Sequence, residues 1–113
     1  MTVRQLQAVE RVDEALGLLL KNLEDLQILN DSVMIVTADH GGHGRIHGTD
    51  DPRDMTIPWI LWTPTIEIGR ELTQPIRIYD TAATALAALG LAIPSDWPGI
   101  PVLEAFPEAV LQP

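Results

Sequence analysis

All three histidines of the chain, His40, His43 and His47, lie in one short glycine-rich segment that begins at Asp39. Imidazole nitrogen and carboxylate oxygen are ligands that zinc and other divalent ions accept in proteins. Glycines let the surrounding backbone take positive φ angles or come close to a bound group. The residue types and their spacing therefore predict a metal site with Asp39, His40 and His47 as ligands.

Because the chain contains no cysteine, any metal must be held by His, Asp, Glu or backbone oxygen. We expect a divalent ion, zinc first and manganese second, although such ligands also admit iron or calcium. One ion would lower the pKa of a bound water toward ~7, whereas two ions ~4 Å apart would clamp the attacking and leaving oxygens of a phosphoryl transfer. Three ligands are too few for two complete sites. We interpret His43 either as a residue that supports a ligand or as a surface histidine, with direct ligation as the alternative. The acidic residues that follow are expected to form a solvated turn: Asp50, Asp51 and Asp54.

Hydrophobic periodicity predicts the elements that position this segment. In chain order they are a helix over 2–29, a strand over 32–37, a loop over 38–55, a strand over 57–63 and a helix over 79–89. The first strand is a continuous apolar, β-branched run, which is typical of a strand buried on both faces of a parallel sheet. We therefore predict one α/β domain over residues 1–113, in helix–sheet–helix layers around a mostly parallel sheet.

The predicted helices have recognisable ends. Thr2 and Gln5 have the spacing of a capping box, and the apolar stripe that follows is expected to pack on the sheet. Asp80 or Thr81 is the expected N-cap of the last helix, and Gly90 is its expected stop. In open α/β sheets ligands bind beyond the carboxyl ends of the strands, which is where the histidine segment begins.

Composition restricts the classes of partner. The 113 residues are 46% apolar and carry a formal net charge of −9. A chain this acidic is not expected to bind nucleic acid or an anionic membrane surface, since both attract basic patches. The first residues lack the apolar core of a signal peptide, and the apolar run 16–20 is too short to span a bilayer. These features predict a cytoplasmic protein by default.

The segment from Val33 to Gly41, a strand ending in Asp-His-Gly, resembles the corresponding motif of the alkaline phosphatase superfamily. The continuation through His47-Gly48 to the apolar run 57–62 most resembles the type I phosphodiesterase/nucleotide pyrophosphatase branch. The opening helix and the segment from Tyr79 to Gly99 are similar to the same family, so the resemblance covers almost the whole chain. It implies a partial alkaline-phosphatase-like fold in which this chain corresponds to the C-terminal part.

The resemblance also implies roles for individual residues. Asp39 and His40 would bind one metal ion and His47 the other, and the reaction would be phosphate-ester hydrolysis through a covalent intermediate on a Ser or Thr. The nucleophile and the upstream metal ligands of the family have no counterpart in these 113 residues. We therefore assign no catalytic residue here and expect the chain alone to have little or no activity.

The leading hypothesis is a metal-dependent hydrolase of phosphate esters, with a small phosphate ester as substrate. Within enzymes, the alternatives are a sulfatase, a phosphomutase or a phosphoethanolamine transferase of the same superfamily. Outside enzymes, the alternative is a non-catalytic metal-binding fragment that pairs with itself through an exposed sheet edge as a homo-oligomer.

Overall fold

The computed structural model describes residues 2–66 and 69–106, which fall into two compact units divided between Ser32 and Val33. The first unit consists of helix α1, Val3–Asp25, and a 3-10 turn, Leu29–Asp31. The elements of the second unit are β1 (Met34–Thr37), α2 (Pro52–Met55), β2 (Trp59–Trp62), α3 (Asp80–Ala88) and a 3-10 turn (Leu103–Ala105). Within the described ranges, no helix is both long enough and apolar enough to cross a membrane.

Helix α1 begins as predicted but ends earlier. The Gln5 amide donates to the Thr2 hydroxyl and the Thr2 amide donates to the Gln5 side chain, which confirms the capping box. The helix was expected to reach residue 29, yet it ends at Asp25. Gln27 takes a left-handed φ of 59°, and the amide of Ile28 then bonds to Leu23 O at 3.0 Å, closing a Schellman motif.

The apolar stripe of α1 has no sheet to pack against within its own unit. No residue of the helix is buried, and Val9 and Val12 remain 59% and 62% exposed. The first unit consists of this helix and one 3-10 turn, so it contains no sheet against which the stripe could lie. Within this unit the helix is supported by the capping box and by an exposed pair between Lys21 and Asp25 at 2.6 Å.

The sheet of the second unit differs from the predicted mostly parallel one. The described residues form an α/β arrangement, but its strands β1 and β2 pair antiparallel, with Met34 opposite Trp62 and Thr37 opposite Trp59. Strand β1 is half-buried along its length, whereas burial on both faces was predicted. The antiparallel pairing brings the end of β1 beside the start of β2. The loop between them therefore begins and ends at the same end of the two strands.

The core of the second unit lies between α3 and the segment after it. Ala83 and Val102 are fully buried, and Phe106 is 4% exposed. At Gly99 a Cβ atom would come within 2.5 Å of the Tyr79 carbonyl oxygen, so only glycine permits this approach. This packing fixes α3, and α3 in turn holds β2 through a hydrogen bond of 3.0 Å from Trp59 Nε1 to the Thr81 hydroxyl.

The ends of α3 confirm one prediction and correct another. Gly90 has a φ of 66° and follows the C-cap, as expected for a helix stop. The expected side-chain N-cap is wrong: Tyr79 occupies that position and makes no capping bond. The Asp80 carboxylate is used differently, since it accepts the amides of Arg77 and Ile100, each at 2.8 Å.

Thr84 provides a test of this core. Its hydroxyl donates to Asp80 O at 2.7 Å and accepts the Val102 amide at 3.0 Å, with Thr84 and Val102 both fully buried. Thr84→Val leaves that amide without an acceptor and should lower the free energy of unfolding by about 1–3 kcal/mol. Urea denaturation followed by circular dichroism measures the loss. Thr84→Ser keeps the hydroxyl and should cost less; an equal loss in both variants would contradict the hydrogen-bond account.

Candidate metal centre

The candidate site is built on the loop from residue 38 to residue 58, which connects β1 to β2. The Thr37 hydroxyl donates to Pro58 O at 2.9 Å and closes the base of this loop. Asp39 and His40 follow β1 directly, as predicted, with side chains that are 86% and 44% exposed. Both side chains are therefore accessible to a ligand from solution.

The ring of His40 is oriented by its own backbone. Nδ1 lies 2.7 Å from the carbonyl oxygen of Gly41, and because a carbonyl can only accept, Nδ1 carries the proton. In the neutral ring this leaves a lone pair on Nε2. Histidine ligands of metals commonly have this arrangement, with one nitrogen donating to a carbonyl and the other free for the ion.

The carboxylate beside this nitrogen lies at a useful distance. Oδ2 of Asp39 is 3.4 Å from Nε2 of His40. Two ligand atoms on a tetrahedral zinc ion, each about 2.0–2.1 Å from it, are separated by roughly 3.4 Å. The oxygen and nitrogen thus have the chemistry and the spacing of two ligands on one ion.

His47 joins the same group through its ring. The imidazoles of His40 and His47 are stacked, with centroids 4.2 Å apart and planes 16° from parallel. Lone pairs of imidazole lie in the ring plane, so nearly parallel rings do not converge on one ion. They suit two ions side by side, as in two-metal sites with ions about 3.5–4 Å apart. Among the described residues no group of three or more His, Asp or Glu side chains converges as a complete metal site.

His43 is bonded to an acidic partner. It pairs with Ile46 in a two-residue turn, in which Gly44 has a φ of 59°. Its Nδ1 lies 2.7 Å from Oδ1 of Asp54, and its side chain is 21% exposed. His43 is therefore bonded to a residue of the same loop, and whether it also binds a metal stays a prediction.

Asp54 corrects the prediction of a solvated acidic turn, because it is only 2% exposed. Its other oxygen, Oδ2, accepts the amide and the hydroxyl of Thr49 at 3.0 and 2.7 Å. The pKa of Asp54 is lowered, mainly by the bond from the Thr49 hydroxyl. The bond from His43 lowers it further, whereas burial acts to raise it. The buried charge is therefore stabilised by three donors from the loop.

The sequence contains a signal for the short helix α2 at residues 51–52. Asp51 precedes Pro52, and an aspartate followed by proline is typical of an N-cap with proline in the first helical position. The structure has this cap at the start of α2, with the Arg53 amide donating to Asp51. Recognising the short helix would have placed Asp54 in its first turn and away from solvent.

Gly41 fits this loop for a reason that differs from the predicted approach to a ligand. Its amide donates to Asp54 O at 2.7 Å, and the Gly42 amide donates to Arg53 O at 2.8 Å. A Cβ atom at Gly41 would collide with the carbonyl of Arg53 and come within 2.7 Å of that of Thr56. The residue after His40 is thus glycine because the backbone of α2 lies against it.

Asp51 gives a pH-dependent readout of the α2 end of the loop. Its carboxylate receives both guanidinium and amide bonds from Arg53, which lower its pKa from 3.8 to about 2. A depressed pKa means that the interaction is complete above about pH 4 and is lost as the pH falls toward 2. In an acid titration followed by NMR, the Arg53 amide should therefore report a midpoint near 2. Arg53→Gln should raise that midpoint; an unchanged midpoint would contradict the guanidinium as its cause.

Comparisons with known proteins identify the relatives of this chain. A family model described as Sulfatase matches residues 2–91, which is most of the chain. Human (Homo sapiens) steryl-sulfatase is 28% identical over 108 residues, covering 79% of this chain and 18% of the relative. The phosphopentomutase of Levilactobacillus brevis is 33% identical over 86 residues, covering 76% and 20%. The 2,3-bisphosphoglycerate-independent phosphoglycerate mutase of Rhodopirellula baltica is 30% identical over 105 residues, covering 88% and 18%.

The chain spans about a fifth of the length of the curated relatives it matches. No solved structure gives a significant match. The matches confirm the superfamily predicted from the Asp-His-Gly motif and include the sulfatases and phosphomutases named as alternatives. They do not support the narrower phosphodiesterase/nucleotide pyrophosphatase branch. The chain therefore belongs to the sulfatase family of the alkaline phosphatase superfamily.

Proposed function

We propose that Asp39 and His40 bind one divalent metal ion and His47 a second, as part of an enzyme that acts on esters of phosphate or sulfate. The observation that carries this proposal is the bond from His40 Nδ1 to Gly41 O, which leaves Nε2 free at 3.4 Å from the Asp39 carboxylate. The stacking of His47 on His40 supports two neighbouring ions over one shared ion. The donors are nitrogen and carboxylate oxygen, which suit zinc first and manganese second.

The substrate class rests on the relatives. Their names refer to a steryl sulfate, to pentose phosphates and to phosphoglycerate. Each of these compounds carries a tetrahedral sulfate or phosphate group bonded to an organic part. Bound divalent ions supply charge neutralisation and polarisation of the ester oxygens for such groups. The phosphodiesterase/nucleotide pyrophosphatase activity favoured by the sequence resemblance is one finer form of this proposal, and sulfate-ester hydrolysis and phosphomutase activity are the others.

The residues of this chain contribute ligand positioning. The Gly41 carbonyl holds the proton of His40 on Nδ1, which keeps Nε2 available as a ligand. Asp39 supplies negative charge at an exposed position, so it can be reached by an ion and by the substrate that the ion binds. None of these side chains is assigned to attack the ester.

Metal binding is the direct test. Isothermal titration of the 113-residue chain with zinc alone should show binding that His40→Ala abolishes and that Asp39→Asn weakens by more than tenfold, since a charged ligand is lost. Asp96→Asn is the matched control, because it removes the same charge at an exposed position outside the loop and should change affinity little. Zinc binding that is unchanged by His40→Ala would refute the proposed ligand set.

Turnover by the chain alone is a second test. With zinc or manganese and p-nitrophenyl phosphate, bis-p-nitrophenyl phosphate or p-nitrophenyl sulfate, we expect p-nitrophenol release equal to that of the metal blank. The reason is that no residue here matches the nucleophile that the family resemblance implies. Release that exceeds the blank and disappears in His40→Ala would contradict this expectation, and the preferred ester would then identify the substrate class.

A further inference from the structure

A single buried carboxylate connects both ends of the loop that carries His47. Oδ1 of Asp54 accepts His43 Nδ1 at 2.7 Å, and Oδ2 accepts the amide and hydroxyl of Thr49. His43 precedes His47 in the chain and Thr49 follows it. The carboxylate therefore closes the loop segment from His43 to Thr49 and limits the positions that His47 can take.

The backbone of the same residue holds the other half of the candidate site. Asp54 O accepts the amide of Gly41, the residue directly after His40, at 2.7 Å. The neighbouring bond from Gly42 to Arg53 O adds a second contact between the strand end and α2. Asp54 is thus bonded to the segment of His40 through its carbonyl and to the segment of His47 through its carboxylate.

Because Asp54 is buried, this connection depends on a carboxylate at position 54. A carboxylate that is 2% exposed is stable only when its oxygens are well supplied with donors, as they are here. An amide of the same shape has one acceptor oxygen where the carboxylate has two. The amide oxygen can accept from Thr49, but its NH2 group then meets His43 Nδ1, so both anchors persist only if His43 carries its proton on Nε2, and the negative charge of the acceptor is lost in either case.

We propose that Asp54 is a positioning residue of the metal centre, which holds the His40 and His47 segments in register while touching no metal itself. This inference rests on the proposed function for its metal, but the register of the two rings is a property of the metal-free chain. The loop would then be ordered by Asp54 before any ion arrives. The stacked rings of His40 and His47, 4.2 Å apart, are the feature that depends on it.

The first experiment is therefore metal-free NMR of the histidine rings. Stacked imidazoles shift each other's ring protons upfield, so wild-type His40 and His47 should both show ring-current shifts. Asp54→Asn should reduce these shifts and should also remove either the His43 Nδ1 proton signal or the protected Thr49 amide. Asp50→Asn removes one exposed negative charge from the same loop and should leave all these signals in place. Unchanged ring shifts in folded Asp54→Ala, which keeps neither acceptor oxygen, would overturn the proposal.

The second experiment measures zinc binding by the same variants. Loss of a residue that orients a metal ligand typically weakens affinity roughly 10- to 100-fold, and this is the effect expected for Asp54→Asn, against less than about twofold for Asp50→Asn. Zinc affinity that depends on His40 but not on Asp54 would defeat this inference and leave the proposed function standing. Ring shifts that depend on Asp54, with zinc binding that ignores His40, would defeat the proposed function and leave the positioning role.

A milder variant covers the case in which Asp54→Asn does not fold. Thr49→Val removes the hydroxyl, which donates to Asp54 and also accepts the Asp51 amide at 3.2 Å. It keeps the carboxylate charge and the backbone amide bond of 3.0 Å. It should move the ring shifts and the zinc affinity in the same direction by a smaller amount. Wild-type ring shifts and affinity in Thr49→Val, with Asp54→Asn unfolded, would also count against the positioning role.

Discussion

The antiparallel pairing of β1 with β2 is the constraint on which the candidate site depends. Because Thr37 lies opposite Trp59, the long connection between the strands starts and ends at neighbouring positions. The free energy needed to close such a loop is therefore provided by the strand ladder and by the Thr37 hydroxyl bond to Pro58. Trp59 in turn is bonded to α3, so the base of the loop is connected to the buried core of the second unit.

Within the loop, order comes from polar contacts. The fully buried apolar residues lie around α3 and the chain after it, whereas the loop is held by amides, hydroxyls and two aspartates. Asp51 is paired with Arg53, whereas Asp54 is held by donors from Thr49 and His43. Two acidic side chains three positions apart therefore serve different purposes. This explains how a chain with a net charge of −9 can bury a carboxylate beside its candidate ligands.

Sequence reasoning could place the candidate ligands just after a strand because the signals for that placement are local. The apolar run before Asp39 and His40 indicates the end of a strand. The capping box and Gly90 indicate helix ends, again from short-range patterns. The sequence did not reveal the direction of strand pairing, since apolar periodicity in one strand carries no information about its neighbour. It also missed the early end of α1, because the left-handed Gln27 is a position that glycine usually occupies.

The burial of Asp54 was missed for a related reason. Three acidic residues close together resemble a solvated turn when only their charge is counted, and the donors that stabilise Asp54 come from residues several positions away. Hydrogen-bond partners of this kind depend on how the loop folds back. They become readable only when a local element, here the four-residue helix α2, is recognised first.

The bond from His40 Nδ1 to the Gly41 carbonyl orients the His40 ring in the folded chain, before any ligand binds. That bond and the stacked ring of His47 are two contacts that restrict the imidazole of His40. Ordering a side chain at a binding surface costs about 0.5–1.5 kcal/mol, and here that cost falls on folding and not on association. In the proposed metal site, an incoming ion would meet a His40 ring whose orientation the folded chain already sets.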